Sequence, residues 1–333
     1  MKTYLITGGA GFIGSNYIHY LMKEHRNKIR VINLDSLTYC GNRNNVSIYE
    51  GSENYIFLQK NICNEEAMQK LFSENEIDYV VHFAAQTHVD RSISSAKEFA
   101  ETNVIGTLNL LNAALDSWET KDINSKRFLY ISTDEVYGEL PTEGYFTENT
   151  PLFPRNPYSA SKASGDMMAR AFFETHHLPV LVTRCSNNYG PYQYEEKFIP
   201  LIIKSCLTGK DIPIYGDGKN IRDWLYVEDH CKAIDNVLHN GRLGEVYNIG
   251  GHNEHTNLEI LDIIQSILKE EYNMQVPPIA FIEDRKGHDR RYAIDPSKIK
   301  IELGWKAEKS FADGIRQTIR WYMKHKDFLE VLD

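Results

Sequence analysis

Tyr4-Leu5-Ile6-Thr7-Gly8-Gly9-Ala10-Gly11-Phe12-Ile13-Gly14 decides how the rest of the chain is read. Tyr4 to Thr7 is an apolar run that predicts a buried strand, and Gly8, Gly11 and Gly14 follow at intervals of three. Glycines at such positions permit a tight turn, close approach of a pyrophosphate and close packing of the next helix, whose N-terminus offers free N–H groups to phosphate. Gly9, Gly11 and Gly14 also satisfy the general dinucleotide fingerprint. A second strand, Arg30-Val31-Ile32-Asn33-Leu34, ends at Asp35, about where an acid grips the adenosine ribose diol. A carboxylate there repels a 2′-phosphate, and Ser36-Leu37 bring no arginine to offset it, so NAD is expected rather than NADP.

Further apolar runs lie at Tyr55-Ile56-Phe57-Leu58, Tyr79-Val80-Val81-His82-Phe83, Arg127-Phe128-Leu129-Tyr130-Ile131 and Pro179-Val180-Leu181-Val182-Thr183. Candidate helices at Glu65 to Glu74, Ala96 to Asp116 and Tyr158 to Thr175 alternate with them. That order predicts an α/β fold with a doubly wound parallel sheet of the Rossmann type. Ligands bind beyond the carboxyl ends of such strands, where His82 to Ala85, Ser132 to Glu135 and Arg184 to Asn187 are expected to converge. After Asn187 the alternation fails, with Pro191, Pro200 and Pro213 among many tyrosines. Residues 1–186 and 223–249 are expected to form the NAD-binding domain, and 187–222 with 250–333 a second, smaller mixed α/β lobe for substrate.

At 333 residues and 42% hydrophobic content the chain can bury a large core. No run approaches the ~18 apolar residues of a membrane span. Five cysteines, Cys40, Cys63, Cys185, Cys206 and Cys231, are scattered without metal-ligand spacing, which favours a reducing, cytoplasmic setting and no metal site. A net charge of −9 gives no reason to expect nucleic acid as a partner, so an anionic ligand must find a local basic patch.

Two later segments carry chemistry. Tyr158-Ser159-Ala160-Ser161-Lys162 places a phenol and an ammonium four residues apart, on one face if Asn156-Pro157 starts a helix. Activating a tyrosine at neutral pH needs its pKa lowered by roughly 3 units, or about 4 kcal/mol. One cation about 4 Å away at an effective dielectric of about 20 supplies that much, so Lys162 alone is expected to suffice. Ser132-Thr133-Asp134-Glu135-Val136-Tyr137-Gly138 adds two adjacent carboxylates beside a hydroxyl. Adjacent acids repel and split their pKa values, giving one acid and one base. Together the segments point to redox chemistry coupled to an elimination.

Tyr-x-x-x-Lys and Gly-x-x-G-x-x-G resemble the signatures of extended short-chain dehydrogenase/reductases. The chain as a whole resembles the nucleotide-sugar branch of that family, specifically the dTDP-glucose 4,6-dehydratases. The likeness runs through Leu37-Thr38-Tyr39-Cys40-Gly41-Asn42, His88-Val89-Asp90-Arg91-Ser92, Thr133 to Gly138, Arg184 to Pro191, Arg222-Asp223-Trp224 and Gly287 to Tyr292. Sister epimerases and decarboxylases share the glycine motif and Tyr-x-x-x-Lys but do not usually carry the Asp-Glu pair.

The resemblance implies Thr133, Asp134, Glu135, Tyr158 and Lys162 as catalytic residues. It implies cofactor contacts from Gly8, Gly11, Phe12, Ile13, Gly14, Asp35, Ser36, Leu37, Thr38, Asn61, Ile62, Ala84, Ala85, Gln86, Thr102, Tyr158, Lys162 and Asn188 to a tightly bound NAD regenerated in each cycle. It implies contacts to a nucleoside diphosphate sugar from Thr87, Thr133, Asn187, Lys197, Phe198, Pro213, Ile214, Tyr215, Arg222, Asn257, Asp284, Arg285 and His288. Arg222 and the Arg285/His288 cluster would neutralise the diphosphate. Four departures from the family pattern, Asn61, Gln86-Thr87, Phe198 and Lys286, bear on cofactor affinity and substrate preference rather than on the relay.

A homodimer is expected from the family, through Ala96 to Asp116 and Tyr158 to Thr175, with Leu108, Leu110, Leu111, Phe172 and Phe173 as apolar surface; the same residues could instead cover the sheet. The residues do not separate thymine from uracil, and a deoxysugar such as rhamnose is the common destination in the family. A catalytically silent NAD-binding protein on this fold is the alternative; Thr133, Tyr158 and Lys162 together speak against it.

Overall fold

The computed structural model describes residues 1–118 and 123–330. The last residues of the expected substrate lobe, 331–333, lie outside the described residues. Among the described residues twelve strands are formed: β1 (Lys2–Thr7), β2 (Ile29–Asp35), β3 (Tyr55–Gln59), β4 (Tyr79–His82), β5 (Arg127–Thr133), β6 (Val180–Cys185), β7 (Asn187–Tyr189), β8 (Ile212–Tyr215), β9 (Ile221–Tyr226), β10 (Val246–Ile249), β11 (Glu254–Thr256) and β12 (Ile279–Ile282). Seven make one sheet in the order β10-β6-β5-β4-β1-β2-β3, every neighbouring pair parallel. The strand order reverses between β1 and β4, and this switch point opens a crevice at the carboxyl edge.

Both faces of the sheet are covered, which is why its strands read as unbroken apolar runs. Tyr4, Ile6, Val31, Val81 and Leu129 pack on one side with the helices Phe12–Glu24 and Val227–Asn240. Leu5, Ile32, Val80, Phe128 and Val182 pack on the other with Glu65–Glu74, Thr107–Trp118 and Pro157–His176. A third cluster, including Ile202, Ile212, Trp224, Ile264 and Ile319, is the core beside two smaller sheets, β11-β9-β7 and β12-β8. Asp223 belongs to β9 in the three-stranded sheet, and the chain rejoins the large sheet through Val227–Asn240 and β10.

Two expectations change in detail. Ala96 to Asp116 is not one regular helix: Ala96–Ala100 and Thr107–Trp118 are α-helical, with a π-helical turn at Glu101–Gly106 between them. Gly106 sits against Ile62, where a Cβ would come within 2.6 Å of Ile62 Cδ1, and the widened turn directs Asn103 inward. The apolar residues offered for a partner also turn inward. Leu110, Leu111 and Phe172 are buried in the cluster that covers the sheet, with Leu108 and Phe173 packed against it. The exposed apolar residues of these segments are Ile105, Met167 and Met168, with Ile93 in the short helix Val89–Ser94 before them.

Candidate active site

The carboxyl ends of β1, β2, β4, β5 and β6 and the smaller sheets enclose a cavity of about 590 Å³. All five residues expected to be catalytic line it, with every expected cofactor contact except Leu37 and every expected substrate contact except Ile214 and Asp284. The exceptions have local causes. Ile214 lies between Pro213 and Tyr215 on β8, so strand alternation sends it into the core while its neighbours face the cavity. Leu37 takes a left-handed φ of 52°, and Asp284 stands behind His288, 2.6 Å from its Nδ1.

The dinucleotide half is shaped by backbone. Gly8 has a φ of 72° and lies so close to Ala84 that a Cβ would come within 2.7 Å of its nitrogen. At Gly14 a Cβ would come within 2.3 Å of the Gly8 carbonyl oxygen. Gly11 caps the helix Phe12–Glu24, and the nearest atom to its added Cβ is the Gly8 oxygen at 3.3 Å. The turn is therefore closed by Gly8 and Gly14 and left open beside Gly11. Asp35 accepts from the N–H groups of Ala10 (3.0 Å) and Leu37 (2.8 Å), which oppose the upward push of burial on its pKa. A glycine cradle at a helix N-terminus with an anchored acid at the end of β2 fits an NAD pyrophosphate and ribose.

Asn156 caps the helix Pro157–His176 by accepting from Ser159 N–H, and Ser159 Oγ accepts in return, with Pro157 opening the first turn. One turn carries Tyr158 and Lys162 onto the cavity wall. Lys162 Nζ donates to the Ile131 carbonyl at 2.7 Å and lies 4.4 Å from the Tyr130 ring centroid. Burial pushes Lys162 down to about 8. Tyr158 is pushed well above the usual tyrosine range, first by burial and then by the Glu135 carboxylate. Burial and the Glu135 carboxylate thus act on the phenol against the activation expected from Lys162.

Thr133, the last residue of β5, donates to Asp134 Oδ1 at 3.2 Å and accepts from Glu135 N–H at 3.3 Å. Asp134 is 1% exposed and its Oδ2 has no hydrogen-bond partner. Burial, the Glu135 carboxylate and the Asp223 carboxylate push its pKa well above the usual range. Glu135 is raised by burial too, but Arg222, Arg285 and Lys197 pull it back. The two neighbours are thus held differently, with the proton on Asp134 the more firmly kept.

On the opposite wall Arg222 is buried, lies 4.2 Å over the Tyr292 ring and donates to the carbonyls of Ile221 (2.7 Å) and Asp289 (2.8 Å). Its charge has no ion-pair partner among the described residues. Arg285 lies over Tyr215 at 4.6 Å with Asp90 3.5 Å away, and Asp90 accepts from the Tyr215 hydroxyl at 3.0 Å. Burial lowers His288 to about 4, so at neutral pH the positive charge of this expected cluster comes from Arg285, not His288.

Asn103, absent from the expected set, holds two walls together. It exchanges hydrogen bonds with the backbone of Gln86 (2.8 and 3.0 Å) and donates to Ser161 Oγ at 2.8 Å, and Ser161 donates to the Tyr158 carbonyl at 2.7 Å. The π-helical turn aims it, and no local pattern in the sequence announces that turn. The sequence places Asp223 in a motif and at a lobe boundary; its position beside Asp134 depends on β9.

The GDP-mannose 4,6 dehydratase family matches residues 5–318. The chain is 48% identical over 342 aligned residues to a dTDP-glucose 4,6-dehydratase of Xanthomonas campestris pv. campestris (strain B100), covering 100% of this chain and 97% of that protein. A dTDP-glucose 4,6-dehydratase of Bacillus anthracis str. Ames, solved in complex with NAD, superposes with a TM-score of 0.88 at 46% identity over 99% of each chain. The Streptomyces venezuelae dTDP-glucose 4,6-dehydratase, solved with NAD and TYD bound, gives a TM-score of 0.91 at 44% identity over 98% of this chain and 99% of that one. With a Rossmann-type sheet, a glycine cradle and an Asp-Glu pair facing Tyr158, the chain belongs to the GDP-mannose 4,6 dehydratase family and stands with its dTDP-glucose 4,6-dehydratase members.

Proposed function

We propose that the protein is an NAD-dependent dTDP-glucose 4,6-dehydratase that oxidises the sugar at C4, eliminates water across C5 and C6, and returns the hydride to C6 to give dTDP-4-keto-6-deoxy-glucose. The observation that carries this reading is the unequal environment of Asp134 and Glu135 beside Tyr158 in one cavity. An epimerase needs a tyrosine and a cofactor; an elimination also needs a base at C5 and an acid at the departing C6 hydroxyl.

NAD, when bound, supplies a reversible hydride acceptor whose oxidised ring brings a positive charge into the site. Tyr158 takes the proton of the C4 hydroxyl, with Thr133 holding that hydroxyl and Lys162 supporting the phenolate. The C4 ketone acidifies the C5 hydrogen. Glu135 removes it, and Asp134, protonated in its buried setting, protonates the departing C6 hydroxyl so that water leaves; the proton held by Glu135 goes back to C5 as hydride returns to C6. Arg222 and Arg285 hold the diphosphate, supported by the cations' carbonyl and aromatic platforms.

We further assign cofactor binding to 1–186 with 223–249 and sugar-nucleotide binding to 187–222 with 250–333. The exposed Ile105, Met167 and Met168 support a homodimer through the two helical segments. Five unpaired cysteines support a cytoplasmic setting, and among the described residues no helix is long and apolar enough to cross a membrane. A deoxysugar such as rhamnose is the proposed destination of the product.

Proton NMR of the purified protein with dTDP-glucose and catalytic NAD in D2O tests the reading. A C6 methyl signal, deuterium at C5 and no accumulated NADH are expected. Unchanged dTDP-glucose together with turnover of a UDP-sugar would overturn the base assignment, and inversion at C4 without a methyl signal would make the protein an epimerase.

A further inference from the structure

Three wall segments of the cavity meet at one aromatic ring. Tyr39 lies in the turn after β2; Thr38, Cys40 and Gly41 line the cavity, whereas Tyr39 does not. Its ring is held by other parts of the chain. The Arg91 guanidinium stands 4.2 Å from its centroid, Tyr194 meets it edge-on at 5.8 Å, and its hydroxyl lies 3.4 Å from Thr87 Oγ1. Thr87 and Arg91 belong to the segment after β4, and Tyr194 to the turn between β7 and the helix Phe198–Thr208.

The Tyr39 segment is rooted at both ends on the dinucleotide cradle. Its first residue, Leu37, takes the left-handed conformation that reverses the chain, and its N–H is fixed by the Asp35 carboxylate at 2.8 Å. At the far end Asn42 N–H and Asn45 Nδ2 both donate to the Ala10 carbonyl, at 3.0 and 2.9 Å. The segment carrying Tyr194 is rooted there too, because Asn16 of the cradle helix donates to the Pro191 carbonyl at 2.9 Å. A strap thus runs from the acid at the end of β2 to the glycine-rich turn, and its crest is clasped from two sides.

We propose that Tyr39 is the latch that keeps the nicotinamide cofactor in place between the two hydride transfers. The inference rests on the function proposed above and gives it a physical requirement: the hydride taken from C4 must go back to C6 of the same sugar. A reduced cofactor released between those steps would strand an oxidised sugar and stop the cycle. Contacts made by a ring that does not itself line the cavity, under a cation and edge-on to a second aromatic, slow opening without altering how the cofactor itself is held. Tyr39 is a positioning residue in this scheme, and the quantity it controls is the release rate.

NADH release is measured by loss of its bound-state fluorescence after mixing the preloaded protein with excess ADP-ribose, for the wild type, Tyr39→Ala, Tyr39→Phe and Arg91→Ala. Tyr39→Ala is expected to release NADH roughly 10-fold faster or more, Arg91→Ala a few-fold faster, and Tyr39→Phe, which keeps the ring contacts, at close to the wild-type rate. Release from Tyr39→Ala at the wild-type rate would overturn the latch. Should Tyr39→Ala fail to fold, the exposed Arg91 decides: wild-type release from Arg91→Ala overturns it equally. A wild-type protein that binds no nicotinamide dinucleotide at all would instead overturn the proposed function, an outcome visible before any variant is made.

Discussion

The two halves of the cavity are built from different materials. The dinucleotide half is mostly backbone: Gly8 and Gly14 closing a turn, a helix N-terminus, and Asp35 tied down by two N–H groups. The sugar half is mostly charged side chain: Asp134, Glu135, Arg222, Arg285 and Lys197, drawn from separate elements, with the neighbouring charges setting the protonation of the two carboxyl groups. Substitutions should therefore separate them. The first half fails when atoms are added, and the second when charge or a proton is removed.

The largest effect is expected on the catalytic side. Tyr158→Phe should lower turnover by roughly 10²–10⁴-fold, the range for loss of a positioned acid–base group, with a far smaller effect on NAD binding, which the backbone cradle carries. Loss of bound NAD in that variant would show the halves to be less separate than described. The converse change, Gly8→Ala, forces a Cβ against Ala84 at a φ of 72°. It should cost on the order of 1–3 kcal/mol of stability and weaken NAD binding, read by thermal unfolding and NAD titration.

Asp134→Asn offers a test with opposite signs. The raised pKa of Asp134 means that the folded protein binds its proton more tightly than the unfolded chain does. Its contribution to stability is then full below the ordinary aspartate range and is lost as pH rises through the folded value. The asparagine variant, free of that loss, should melt at a higher temperature than the wild type at neutral pH, and the gap should close on acidification, while elimination is abolished. A variant less stable than the wild type at neutral pH would contradict a protonated Asp134. The pH dependence of elimination follows the same logic, falling at low pH as Glu135 takes up a proton at a pH above the ordinary glutamate range and at high pH as Asp134 loses one. The smallest effect is expected from Tyr215→Phe, which removes one hydroxyl bond to Asp90 and should weaken substrate binding by about 0.5–1.5 kcal/mol in a titration with the nucleotide sugar.

The same contrast explains what could be read from sequence. Gly8, Gly11 and Gly14 announce themselves because a backbone site must be contiguous, and Tyr158 and Lys162 because one helical turn joins them. Asn103 and the partnership of Asp223 with Asp134 were not legible, since a π-helical turn and a crossing strand bring them to the site from far along the chain. A motif of three consecutive residues does not show that strand alternation admits only Pro213 and Tyr215 to the wall and turns Ile214 into the core. The opposing influences on Tyr158 are illegible for a related reason: spacing reveals the ammonium, whereas burial and the Glu135 carboxylate appear only once the fold closes around the phenol.

The division of labour between the two carboxyl groups is tested most directly by Glu135→Gln in a single turnover of C4-labelled dTDP-glucose in D2O, following NADH formation and deuterium at C5 together. NADH should form at close to the wild-type rate while deuterium fails to enter C5 and no methyl group appears. Equal loss of oxidation and exchange, or continued exchange at C5, would contradict Glu135 as the base of the elimination.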